Sequence, residues 1–114
     1  GPKQFNGSEA ASRPMELLLV SLGSCTASDV ASILQKKRVP LDTMEVIVTG
    51  DRKEMHPKIY TKINIEYVFY GKNMETKDLE RAIDLSQNKY CPISAMLKES
   101  CKISHSYKVK GKNE

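Results

Sequence analysis

The sequence predicts one α+β domain in which a small, mostly antiparallel sheet packs on a long buried central helix. Three patterns carry that expectation. Apolar residues recur at helical spacing from Met15 to about Arg38. Two stretches rich in β-branched and aromatic residues then follow close enough to form a hairpin. A helical pattern broken by Cys91-Pro92 separates them from a final alternating stretch.

Residues 1–13 are polar and contain glycine and serine, so they read as a flexible leader, with Pro14 tolerated in a first helical turn. The helix beginning at Met15 carries apolar residues at 15, 18, 19, 22, 30, 33 and 34. Its first half is apolar on nearly every side, the signature of a buried helix. Its second half is amphipathic and ends in Lys36-Lys37-Arg38, where cations suit the negative end of the helix dipole. Val39-Pro40 stops it, because the residue before proline disfavours helix.

Met44–Arg52 and Tyr60–Tyr70 read as strands, the second with Ile63, Ile65, Tyr67 and Phe69 on one face. His56, in the turn between them, reads as a solvated loop histidine. Thr76 is the expected cap of a helix reaching about Tyr90, with Leu79, Ile83 and Ser86 inward. Pro92 opens a short helix to about Lys98, and Lys102–Lys110 is the last strand, with Ile103, His105, Tyr107 and Val109 sharing a face. Three strands leave exposed edges and an under-covered apolar helix. A missing N-terminal hairpin, a partner subunit, or both would supply the cover.

The 114 residues suit a single domain, with an apolar fraction of 39% and a charged fraction of 28%. The net charge of +4 is scattered along the chain, which argues against nucleic acid as a partner. No apolar run reaches the roughly 18 residues of a membrane span, so no membrane partner is expected. Three widely spaced cysteines do not form a secreted disulfide framework, which points to reduced thiols in the cytoplasm. They also lack a Cys-x-x-Cys pair, so no metal is expected.

Cys25 and Cys91 are the chemistry-bearing candidates. A cysteine in an apolar helix is ordinarily a small core residue. Around Cys25, however, Ser21, Ser24, Thr26 and Ser28 cut a polar microsite into the helix, and Asp29 lies about 40° round from it. A carboxylate alone disfavours a thiolate, so a reactive Cys25 needs a cation or amide donors from elsewhere. Cys91 precedes Pro92 and is placed to cap the short helix, whose amide groups and dipole would lower its pKa. Cys101 has no such setting and reads as structural.

Residues 13–30, Arg-Pro-Met-Glu-Leu-Leu-Leu-Val-Ser-Leu-Gly-Ser-Cys-Thr-Ala-Ser-Asp-Val, resemble the central-helix motif of the OsmC/Ohr superfamily. Lys89-Tyr-Cys-Pro-Ile-Ser resembles its second motif, and the combination is most similar to the YhfA-like branch. The resemblance spans about residues 13–110. It implies an intertwined homodimer with the site at the subunit interface. It also implies a thiol-dependent peroxidase acting on organic hydroperoxides, with Cys25 as attacking thiolate and Cys91 as resolving thiol. An external dithiol is then the reductant and no bound cofactor is needed. A small apolar ligand held without turnover, or redox sensing, is the alternative. The family's N-terminal strands have no counterpart here. In the family an arginine activates the cysteine and a glutamate holds that arginine. Arg13 and Glu16 are the nearest residues of those types, without matching the motif.

Overall fold

The computed structural model describes residues 7–111, and side chains from Arg13 onward. Helix α1 runs Gly7–Lys36, β1 Leu41–Arg52, β2 Tyr60–Gly71, α2 Thr76–Leu85, α3 Pro92–Leu97 and β3 Lys102–Lys110, with a π-helical turn, Ser86–Tyr90, between α2 and α3. The leader expected as a loop is therefore helical from Gly7, and Pro14 lies inside α1. Glu9, Ala10 and Ala11 are strong helix formers that carry the helix past the one backbone bond a proline cannot make. Residues 1–6 lie outside the described part.

The helix ends slightly before Arg38. Arg38 takes φ 58°, its N–H bonds the carbonyl of Gln35, and the Val39 N–H bonds that of Leu34, both at 3.0 Å. This is a Schellman closure with arginine in the place glycine usually fills. The cap of α2 is Glu75, with no side-chain hydrogen bond, and not Thr76, which is the first helical residue.

The sheet order is β1-β2-β3. β1 and β2 form the expected antiparallel hairpin, with Val46 opposite Tyr67 and Val48 opposite Ile65. β3 instead runs parallel to β2, with Ile63 opposite Ile103 and Tyr67 opposite Tyr107, so the sheet is mixed where a mostly antiparallel one was expected. The connection between β2 and β3 contains α2 and α3, and such a helical crossover returns the chain in the same direction.

Leu22, Val30 and Leu34 of α1, Ile63, Ile65, Tyr67 and Phe69 of β2, and Leu79, Ala82 and Ile83 of α2 form one buried cluster. The expected inward faces of β2 and α2 are thus the observed ones. At Gly23, an added Cβ would sit 3.1 Å from Val48 Cγ2, so α1 lies close upon β1.

The first half of α1 is not buried all round. Leu17 is 58% and Val20 60% exposed, because one helix on a narrow sheet covers only one of its faces. The stretch Arg13–Lys36 is, contrary to expectation, long and apolar enough to cross a membrane by length and composition. Cysteine, alanine and glycine extend its leucine-rich run, while Leu22, Val30 and Leu34 pack in the domain core. β3 is only half covered, with His105 exposed and Val109 44% exposed.

Candidate active site

The site forms where α1 meets the turn between α2 and α3. Cys25 presents a half-buried thiol from the middle of α1, and Cys91 a buried one from the start of α3. The Cys91 S–H donates to Cys25 Sγ across 2.9 Å, joining residues 66 apart in sequence. The two thiols that the sequence singled out therefore meet.

Cys91 is fixed from both sides. Its N–H bonds the Ser86 carbonyl at 2.8 Å, closing the π-helical turn. Its sulfur accepts the Ser94 N–H at 3.4 Å, the expected N-cap of α3. The expected fall in its pKa does not follow. Burial pushes the thiol up to about 11, and the hydrogen bond to Cys25 adds to the rise. The Ser94 and Ile93 amides pull the other way but do not offset lost hydration.

Asp29 lies one turn along α1 from Cys25, as its spacing predicts. A carboxylate oxygen of Asp29, Cys25 Sγ and Cys91 Sγ all lie within 4.8 Å of one another. The expectation of no metal site rested on local cysteine spacing, but folding assembles three groups of ligand type from two elements.

Beneath the thiols lies a buried polar network. Thr26 Oγ1 contacts Tyr67 Oη at 2.6 Å, Ser86 Oγ at 2.8 Å and Gln87 Nε2 at 3.1 Å. Ser86 Oγ donates to Asp29 Oδ2 at 2.9 Å. A hydroxyl has one proton, so Thr26 must donate to Ser86, and Tyr67 must donate to Thr26. The chain of donors therefore runs from Tyr67 through Thr26 and Ser86 to the Asp29 carboxylate. Burial, the largest cause, pushes the Tyr67 phenol up to about 12, which keeps it a donor. Gln87 extends the network by accepting the Ser94 hydroxyl at 2.8 Å.

Ser24 is exposed and lines a groove of about 370 Å³ with Leu19, Val20, Gly23, Met44 and Val48, away from the network. Glu16 and Arg13 do not join the thiols within the chain. They lie nine and twelve residues before Cys25 on the same helix, about 13 and 18 Å along its axis. Near the Cys91 turn, Lys98 donates to the Gln87 carbonyl and to Asn88 Oδ1, bracing the turn. Cys101 is buried, donates to the Leu97 carbonyl at 3.2 Å, and is held up in pKa by that burial, consistent with packing.

Tyr67, Ser86, Gln87 and Ser94 were not singled out as site residues by the sequence. Ser86 carried the one usable signal. A serine on the inward face of an amphipathic helix, in register with Leu79 and Ile83, needs a buried partner.

The family model described as OsmC-like protein matches residues 6–106. Protein YhfA of Escherichia coli K12 is 40% identical over 104 residues, covering 91% of this chain and 78% of YhfA, in keeping with the branch expected from the motifs. A crystal structure of a hypothetical protein from Aquifex aeolicus is 48% identical with a TM-score of 0.84, over 90% of this chain and 76% of that one. An organic hydroperoxide resistance protein OsmC from Legionella pneumophila shares the fold at a TM-score of 0.68 and 13% identity, over 96% of this chain and 77% of that one. Together with the two cysteine motifs and the fold that unites them, these matches establish that the chain belongs to the OsmC-like protein family.

Proposed function

We propose that this protein is a two-cysteine peroxidase for organic hydroperoxides, working in the cytoplasm with an external dithiol as reductant. The observation that carries the reading is the 2.9 Å contact between Cys25 and Cys91. A disulfide needs its sulfurs about 2.05 Å apart, so less than an ångström of motion joins them.

The two thiols differ in a way that supports separate roles. Cys25 is half-exposed and accepts the S–H of Cys91, whereas Cys91 is 3% exposed and held protonated by burial. Cys25 is thus the accessible nucleophile and Cys91 the resolving group. The Cys25 thiolate attacks the distal oxygen, the O–O bond breaks, and the alkoxide leaves as alcohol after taking a proton. The sulfenic acid on Cys25 then condenses with Cys91 to a disulfide and water. A dithiol reopens it by exchange and is itself oxidised.

The active unit is a homodimer, with the second copy covering the exposed Leu17, Leu18 and Val20 of α1. A chain of this size buries about two-thirds of its unfolded surface and gains from such a partner. Sedimentation at micromolar concentration tests the assembly.

The chemistry is tested with stoichiometric cumene hydroperoxide and mass spectrometry of the alkylated protein. The expected product is a Cys25–Cys91 disulfide. Cys25→Ser abolishes turnover, and Cys91→Ser leaves Cys25 trapped as sulfenic acid or over-oxidised. Both thiols still free after peroxide treatment would overturn the assignment.

A further inference from the structure

We propose that the reduced Cys25–Asp29–Cys91 cluster is also a binding site for a thiophilic divalent metal ion, with zinc the physiological member of the class. The inference uses the thiols of the peroxidase reading but needs no peroxide chemistry.

The donor set is the first argument. Two sulfurs and one carboxylate oxygen within 4.8 Å of one another are ligands of the types zinc takes. Three protein ligands with a fourth position open to water is a recurrent zinc arrangement.

The support around Asp29 is the second argument. Ser86 Oγ donates to Asp29 Oδ2 at 2.9 Å and is itself held by Thr26 at 2.8 Å. Ligating carboxylates are commonly oriented in this way by a second layer of hydrogen bonds. Asp29 also lines a cleft of about 410 Å³ with Ser28, Ser32, Lys36, Lys37 and Tyr90, which opens the carboxylate to solvent, while the two lysines oppose a cation entering by that path.

The sulfur spacing needs one adjustment. Zinc–sulfur bonds of about 2.3 Å in tetrahedral geometry hold two sulfurs about 3.8 Å apart. The observed 2.9 Å must therefore open by under an ångström, which rotation of the half-exposed Cys25 side chain supplies. Binding releases the two thiol protons to solvent and changes no oxidation state. A disulfide removes both sulfur ligands, so metal binding and oxidation exclude each other.

The test is titration of the reduced, thiol-counted protein with Cd2+, followed by its sulfur-to-metal charge-transfer absorbance, then displacement by Zn2+. One ion per chain is expected. Cys25→Ser and Cys91→Ser each lose the band, whereas Cys101→Ser keeps it. Asp29→Asn weakens binding at least tenfold, and Asp29→His, which restores a ligand, recovers most of it. Thermal unfolding of each variant by circular dichroism separates lost ligation from lost fold. No charge-transfer band in fully reduced protein overturns the proposal, as does an unchanged affinity in folded Asp29→Asn or a band that depends on Cys101. Peroxide-driven disulfide formation, measured on the same preparation, separates failure of the redox reading from failure of this one.

Discussion

Replacing Thr26 with valine tests the hydrogen-bond directions on which the site geometry rests. Valine keeps the shape and loses only the hydroxyl, at a side chain with 0% exposure. Ser86 keeps its donation to Asp29 and loses little. Tyr67 loses its acceptor, because its remaining neighbour in the network, Gln87 Nε2 at 3.4 Å, is itself a donor. One buried O–H is then stranded at about 1–3 kcal/mol, and Gln87 Nε2 also loses its acceptor at 3.1 Å, for a total of about 2–4 kcal/mol. Urea unfolding of reduced protein at fixed concentration, followed by far-ultraviolet circular dichroism, measures the loss. The discriminating variant is Thr26→Val with Tyr67→Phe. It removes donor and acceptor together and should be less destabilised than the sum of the single variants by at least about 1 kcal/mol. A loss under about 0.5 kcal/mol for Thr26→Val, or strict additivity in the double variant, refutes the proton chain from Tyr67 to Asp29.

Two further outcomes follow from the packing and the thiols. Cys91 is raised from an ordinary 9.0 to about 11 in the folded chain, so the folded state holds its proton where the unfolded state has released it. Its contribution is complete below pH 9.0 and declines as pH rises toward about 11. Urea midpoints across that interval should fall less steeply in Cys91→Ser, and an identical slope would exclude the thiol as the source. Gly50→Ala places a Cβ 2.7 Å from the Tyr60 ring, which cannot swing aside freely because its hydroxyl bonds the Met15 carbonyl at 2.6 Å. A loss of about 1–3 kcal/mol in urea unfolding is expected, and a neutral result would mean that the ring relaxes.

The fold was legible wherever one local period dominated. The alternation through Ile63, Ile65, Tyr67 and Phe69 chose its buried face correctly, and the spacing of Leu79, Ile83 and Ser86 chose the inward side of α2. Boundaries failed where competing preferences are close in strength. Glu9, Ala10 and Ala11 sustained a helix where Gly7 and Ser8 suggested a loop, and Glu75 rather than Thr76 opened α2. The direction of β3 was not legible, since its alternation reads alike in parallel and antiparallel pairing. The helical crossover decides it.

The site was legible in its chemistry and not in its environment. Cys25 and Asp29 were identifiable because hydroxyls and a carboxylate are out of place in an apolar helix, and Cys91 because it caps a helix opened by proline. What those groups experience depends on residues 41 to 66 positions away, joined only by the tertiary fold. Cys91 makes the point most clearly. Its sequence context, a cysteine capping a helix just before proline, supports a lowered pKa, and the cap is present. The same turn that forms the cap also buries the sulfur against α1, and desolvation outweighs the pull of the Ser94 and Ile93 amides. A buried, protonated Cys91 is a poor attacking group but a well-placed donor to Cys25. Under the proposed peroxidase reading, that raised pKa disfavours Cys91 as the first nucleophile, and its proton leaves with the sulfenic hydroxyl as water when it condenses with Cys25.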